Sequence, residues 1–456
     1  MPDAWNLTAT ELAAAFATGE TTPERALSDV LHRLEAVNPA VNAVVTLDLP
    51  GAHAAAAAAR ARLREGRRLG PLDGIPLTVK DNLFVGGLRA TWGSAVFEDF
   101  VAPQDDLPVA KLRAAGAVIF GKTNTPELAL MGATDNRVFG STGNPWSPDL
   151  SPGGSSGGAV AGVASGAGPL ALATDAGGSI RRPSGHAGVA GLKPGVGRVP
   201  RRFGFPPLAH DLQVIGPIGR CITDLQAMLG VIATPLATPA QSGTGLRIAA
   251  FGAIGDHPVE PAISSAFEAA LNVLQALGHS VTVIAPLWDP DAVSELFGAL
   301  ASVGVARVMA ANPGWDAKVT EGIAQQARAG SQVSGTAYVE ALDRLALFRW
   351  GMLDAMAGWN VIATPSSPAL PWRRTEMFPK TIAGIAVDGR AASIFSTAVN
   401  LAGLPALAVP APVASGALPA GLQLIGGPMT EEMLLDLGAQ FECACPWPRI
   451  APMPQS

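Results

Sequence analysis

Apolar residues recur along this chain with two periods, and the places where one period gives way to the other outline the fold. Residues 8–35 repeat at helical spacing, with Thr8 as N-cap and Glu11 three residues later forming a capping box. "GAHAAAAAARARLREGR" predicts a second helix, because alanine is the strongest helix former. At "PLDGIPLTVKDN" the period shortens: Ile75 to Val79 is a short apolar strand bounded by Gly74 and by Asp81 and Asn82. "LPVAKLRAAGAVIFGKTN" reads as helix, glycine stop, strand. "GLRIAAFGA", "AFEAALNVLQALGHSVTVIAP" and "WNVIATPSSP" continue the alternation of helix and strand. The pattern predicts an α/β protein: one large domain with a mixed, mostly parallel central sheet covered by helices on both faces. Its expected parts are N-terminal helices over about 1–65, a core over about 66–235 and a C-terminal half over about 246–445. The loop around 235–245, "PLATPAQSGTG", divides the halves.

Composition narrows the classes. The 456 residues carry a net charge of −6, which gives nucleic acid no electrostatic footprint. Hydrophobic residues at 48% and charged residues at 15% exclude a disordered chain. The least polar run, Gly157 to Thr174, is built of glycine and alanine around Pro169. It is too weakly hydrophobic to favour a bilayer and predicts a buried helix. The first residues, "MPDAWNLTATELAAAFATGE", lack the basic start and apolar core of a signal peptide. Cys221, Cys443 and Cys445 cannot all pair, and they read as reduced thiols of a cytoplasmic protein. The expected partner is a small molecule, with no nucleic acid, membrane, metal or cofactor; a homodimer is left open.

Two motifs mislead. "GAVIFGKT" matches the phosphate-loop pattern, but its middle residues are strand-like and a helix precedes them, so it predicts a core strand ending in a polar turn. "GGSSG" matches the nucleophile elbow, which needs a strand immediately before it. The preceding "NPWSPDLSP" is too rich in proline for a central strand. None of the six histidines follows Ser155 in an acid-then-histidine order, and His32 and His53 read as surface residues of N-terminal helices.

The stretch from Ser151 to Pro183 nevertheless sets serines among glycines, at Ser155-Ser156 and at Ser179, with no histidine to act as base. Lysine is scarce, and Lys80 closes the apolar strand of "GIPLTVKDN". Burial there disfavours the ammonium and makes a neutral amine accessible near neutral pH. Serine–lysine pairs are an attested substitute for the histidine triad. The alternative is a buried ion pair with Asp81 or another carboxylate.

"GPLDGIPLTVKDN", "SPGGSSGG" and "ATDAGGSIRRPSGHAGVAGLKPGVGRV" together resemble the amidase signature family. Ser179 follows Ser155 by the 24 positions of that pattern. The resemblance extends through "GAVIFGKTNTPELA", "GSTGNPWSP", "IGPIGRCITDL", "NLAGLPALAVPAP" and "LPAGLQLIG", covering nearly the whole chain. It implies a Ser–cis-Ser–Lys triad: Ser179 as nucleophile, Ser155 as bridging serine after a cis peptide bond from Gly154, and Lys80 as base. It also implies an oxyanion hole from the backbone N–H groups of Ala176, Gly177, Gly178 and Ser179. Ser156 takes at most a supporting hydrogen bond.

The chain departs from the family's usual pattern near the acyl pocket. Arg182 stands where an apolar residue is usual after "GGSIR", and His186 and Ala187 replace a bulky residue and a cysteine. Helical spacing would bring Arg182 back toward Ser179, to hold a substrate carboxylate; the alternative is a structural pair with Asp175. The implied function is a free-standing amidase acting on a small carboxamide. The rival is the glutaminase subunit of a tRNA-dependent amidotransferase. The segment 331–375 lacks the tyrosine-rich pattern associated with that subunit, and Tyr338 is the only tyrosine. An inactive scaffold is disfavoured by the complete triad.

Overall fold

The computed structural model describes residues 3–236 and 244–453. The middle of the dividing loop, 237–243, lies outside the described residues. The first helical stretch is two helices, Ala9–Thr18 and Pro23–Val41. Thr8 and Glu11 form the reciprocal capping box. The expected single helix breaks because Gly19 turns left-handed (φ 77°) and Thr22 with Pro23 restarts the chain as N-cap and first helical residue. The alanine-rich stretch is the helix Leu49–Arg64.

Strands follow as β1 (Val44–Leu47), β2 (Pro76–Lys80), β3 (Val118–Thr123), β4 (Leu170–Asp175), β5 (Ala190–Lys193), β6 (Val214–Gly219), β7 (Arg247–Ala250), β8 (Ser280–Val283) and β9 (Val361–Pro365). The short β10 (Thr381–Ile382) and β11 (Ile385–Ala386) form a separate hairpin, and β12 (Ala406–Pro410) and β13 (Gly421–Gly426) complete the set. Eleven of them form one sheet, in the order β1-β3-β2-β4-β6-β5-β12-β13-β9-β7-β8. It is mixed and helix-flanked. The parallel ladders are the flanking triplets β3/β2/β4 and β9/β7/β8, and antiparallel ladders join them through the centre. The sheet draws strands from all three expected parts of the chain.

Parallel strands covered on both faces read as unbroken apolar runs. Every residue of β2 and β4 is buried accordingly. Leu77 and Val79 are fully enclosed, each stabilising the core by roughly 1.5–3 kcal/mol. The run 157–174 is not one helix. It is the wholly buried helix Gly157–Ser165, a turn at Gly166 and Gly168, and then β4. Glycine at 158 is required because a Cβ there would lie 2.3 Å from the amide nitrogen of Asn124.

The most membrane-like stretch is instead the helix Pro290–Ala310, 21 residues with mean hydropathy 1.4 in its most apolar window. Its apolar residues pack into two core clusters, Leu296 and Leu300 with Phe395 and Val399, and Val305 and Met309 with Trp92 and Phe205.

Candidate active site

β2 and β4 run side by side, pairing Val79 with Leu172, and their C-terminal ends deliver the two halves of the site. Lys80 ends β2 with its side chain fully buried. Its Nζ lies 2.8 Å from Ser155 Oγ, 3.0 Å from Ser156 Oγ and 3.0 Å from Thr174 Oγ1. No ion pair among the described residues involves Lys80. The carboxylate beside it in sequence, Asp81, pairs with Lys122 and accepts from Thr91. Burial pulls Lys80 from the ordinary 10.5 down to about 7, against the opposing attraction of Asp175. The ion-pair alternative is therefore not what the structure contains. The same strand geometry removes the phosphate-loop reading: Gly121, Lys122 and Thr123 lie within β3, and Lys122 is closed off in the pair with Asp81.

Ser155 and Ser156 lie just before the helix Gly157–Ser165, on a segment with no strand before it and with a cis peptide bond between Gly154 and Ser155. Ser155 is 1% exposed. Ser156 Oγ donates to Thr174 O at 3.2 Å, and its N–H donates to Ser179 O at 3.2 Å. That second bond ties the Ser155-Ser156 segment to the Ser179 turn. Side-chain hydroxyls of Ser155 and Ser179 are not hydrogen-bonded to each other in this state.

The turn carrying Ser179 is folded around Asp175, the last residue of β4. Its carboxylate accepts from the N–H groups of Gly178 (2.8 Å) and Ile180 (2.9 Å), and pairs with the Arg181 guanidinium at 2.9 and 3.1 Å. Asn400 donates to it at 3.0 Å, and Arg181 reaches on to Gln423 and Ser396 O. Burial opposes the charge on Asp175, but Arg181, Lys193 and the Ile180 amide overcome it and hold the carboxyl well below its usual range. Gly178 adopts φ +112°, and a Cβ there would meet Ser396 Oγ at 2.2 Å, so the turn admits only glycine.

These bonds sort the expected oxyanion donors. Gly178 departs from expectation, because its amide is already committed to Asp175. Among the described residues, the amides of Ala176, Gly177 and Ser179 have no protein acceptor. Ala176, Gly177, Ser179 and Arg182 line one cavity of about 1190 Å³, whose wall includes Trp288, Phe297 and Phe378. Lys80, Ser155 and Ser156 are not in that wall; they lie buried behind it.

Arg182 does not pair with Asp175, whose arginine partner is Arg181. It donates through Nη1 to Ser393 Oγ at 2.6 Å and through Nη2 to Gly154 O at 2.8 Å. His186 is buried, and burial together with Arg182 lowers it to about 3, so it carries no charge near neutrality. His32 and His53 are exposed. Sequence reasoning missed Asp175 as the organiser of the turn, and missed Thr174, Asn400 and Ser396 altogether. An aspartate closing a buried strand before two glycines is the available signal for Asp175; Asn400 and Ser396 come from more than 200 residues away.

With this geometry in hand, the chain belongs to the amidase family: that family's model, Amidase, matches residues 25–435. Among curated proteins it is 34% identical to a glutamyl-tRNA(Gln) amidotransferase subunit of Chloroflexus aurantiacus, covering 98% of each chain. It is 35% identical to the Deinococcus radiodurans protein of the same name, over 95% of this chain and 96% of the other. Among solved structures it resembles a bacterial aryl acylamidase of the amidase signature family, at 26% identity and a TM-score of 0.90 over 98% of both chains. The peptide amidase of Stenotrophomonas maltophilia superposes with a TM-score of 0.82, at 26% identity and 98% coverage of both. Members of this family cleave amide C–N bonds, and this chain is an amide hydrolase of that class.

Proposed function

We propose that the chain hydrolyses a small carboxamide through an acyl-enzyme on Ser179, with Lys80 as base and Ser155 as relay. The supporting observation is Lys80 itself: a fully buried amine near pKa 7, surrounded by hydroxyls and in no ion pair. Neutral Lys80 takes the Ser155 proton as Ser155 takes that of Ser179. Ser179 lines the cavity, and its Oγ then bonds to the amide carbon. The amides of Ala176, Gly177 and Ser179 receive the oxyanion, each such donor contributing about 3–4 kcal/mol. As the C–N bond breaks, the relay returns a proton to nitrogen, and ammonia or an amine departs. Water then enters through the same base and releases the carboxylate. Thr174 Oγ1 and Ser156 Oγ hold the amine in place and do not react.

A second reading is favoured by the curated relatives: the chain acts as a glutaminase component, freeing ammonia from glutamine for a protein partner. Both readings share the chemistry at Ser179. A release assay for ammonia and amines over aliphatic, aromatic and carboxylate-bearing amides tests that shared chemistry, with Ser179→Ala as control. Turnover in wild type that vanishes in the variant supports it; a panel with no turnover, or turnover that survives Ser179→Ala, overturns it. Hydrolysis of glutamine alone among the amides, together with a co-purifying partner that accelerates it, would select the glutaminase.

A further inference from the structure

Ser396 reaches the Ser179 turn from far along the chain, and its side chain is oriented against its local preference. It stands at the N-cap of the helix Thr397–Leu401, yet it makes no side-chain capping bond. A serine in that position ordinarily accepts a backbone N–H of the first helical turn. Here the enclosed hydroxyl donates instead to Gly177 O at 2.9 Å, with Ser393 O at 3.3 Å as a weaker acceptor. The surrounding backbone is held in place from three sides. Arg181 Nη1 donates to Ser396 O at 3.0 Å, Gln423 Nε2 to Phe395 O at 2.8 Å, and the Trp288 indole to Ile394 O at 2.8 Å. The hydroxyl is therefore presented to Gly177 by a rigid support.

A peptide unit is planar, and in the trans form its C=O and N–H point opposite ways. The unit joining Gly177 to Gly178 is held at both ends, its C=O by Ser396 Oγ and its N–H by Asp175 Oδ1 at 2.8 Å. Both residues of that unit are glycines, which have the greatest backbone freedom, so the turn has little stiffness of its own. We propose that Ser396 is a positioning residue of the amidase site: with Asp175 it clamps this peptide plane, and the clamp aims the N–H groups of Gly177 and Ser179, on either side of it, at the developing oxyanion. Gly177 and Ser179 line the cavity, whereas Gly178 is buried and does not. Donors aimed in advance stabilise an oxyanion most, because nothing has to reorganise as the charge develops. Thr397 Oγ1 is a second donor to Gly177 O, at the longer distance of 3.5 Å, so losing the Ser396 hydroxyl loosens the clamp without abolishing it. The inference deepens the amidase reading and rests on it.

The test pairs benzamide with trifluoroacetophenone, its ketone counterpart, and with the matching trifluoromethyl carbinol. Ser179 Oγ adds to the ketone carbon, the carbonyl oxygen becomes the oxyanion, and the serine proton passes to the base. The carbinol fills the same space and forms no oxyanion. Ser396→Ala should weaken ketone binding by about 10- to 100-fold and lower kcat for benzamide by a like factor, less than the loss of a whole oxyanion donor. KM and carbinol binding should change by less than about threefold. A merely structural serine would weaken carbinol and ketone alike; that result, or undiminished ketone affinity, overturns the clamp. Should Ser396→Ala fail to fold, Ser396→Cys places a weaker donor there and should show the same selective loss, and equal effects on ketone and carbinol overturn the clamp there too. A wild type that neither hydrolyses an amide nor adds the ketone fails the amidase reading separately. Deuterium exchange at the Gly178 amide needs no substrate and decides the clamp in that case: exchange at least about 10-fold faster in Ser396→Ala supports it, and an unchanged rate refutes it.

Discussion

If Lys80 is the base, the enzyme's pH dependence is set by a buried amine and must move when that amine's surroundings change. The structure places it in full burial among Ser155, Ser156 and Thr174, with burial lowering it to about 7 and Asp175 pulling it back up. Only the neutral form accepts a proton, so kcat/KM should rise with pH and level off above 7. At pH 5 about 1% of the amine is neutral, which predicts a fall of roughly 100-fold from the plateau. Lys80→Met should lose the contribution of the base, about 100- to 10,000-fold, together with the pH dependence below neutrality. Lys80→Arg should not restore it, because a guanidinium stays protonated throughout the accessible range. Asp175→Asn removes the attraction that favours the ammonium, so the midpoint of any residual activity should shift to lower pH. The assay is steady-state release from pH 5 to 9, with fold monitored at each point. A flat wild-type profile, or the same sloping profile in Lys80→Met, would refute the relay.

Asp175→Asn should also melt at lower temperature, since removing one member of a buried pair costs about 3–5 kcal/mol. The Asp175 carboxyl lies below its usual range, so its stabilisation is in full above pH 3.8 and is lost as pH falls; acid unfolding of the variant should be correspondingly flatter. Lys80 and Lys193 both lie near 7 when folded and near 10.5 when unfolded. The unfolded chain therefore binds more protons in that window, and denaturant stability should rise between pH 7 and 10.5, less steeply in Lys80→Met. Gly178→Ala should lose activity and about 1–3 kcal/mol of stability by driving a methyl into Ser396, and full activity in that variant would contradict the tight turn.

Lys80 and both serine sites are legible in the sequence because their signals are local. Lys80 ends an apolar strand, and the serines are set in glycine-rich sequence without histidine. The strands bounded by Gly74 and by Gly116 are legible for the same reason. What stays hidden depends on tertiary contact. The turn at Ser179 is shaped by Asn400, Ser396 and Gln423, which no spacing connects to it. Gly178 reads as an oxyanion donor because the motif exposes its amide, and only the folded Asp175 carboxylate claims that amide. Sequence alone leaves Arg182 between Asp175 and a substrate; Arg181 occupies Asp175 first, which leaves its neighbour for the cavity. The run 157–174 reads as one helix because glycine and alanine carry little periodic signal, although Gly166 and Gly168 mark the break.

The central claim is a covalent ester on Ser179, and trapping it is the most direct test. The enzyme is mixed with an amide that it turns over, quenched in acid within a turnover, digested and measured by mass spectrometry. The account predicts that the mass of the acyl group appears on the peptide containing Ser179, and that Ser179→Ala carries none. An acyl group found on Ser155 or Ser156, or turnover with no acyl-enzyme under conditions where deacylation limits the rate, would contradict it.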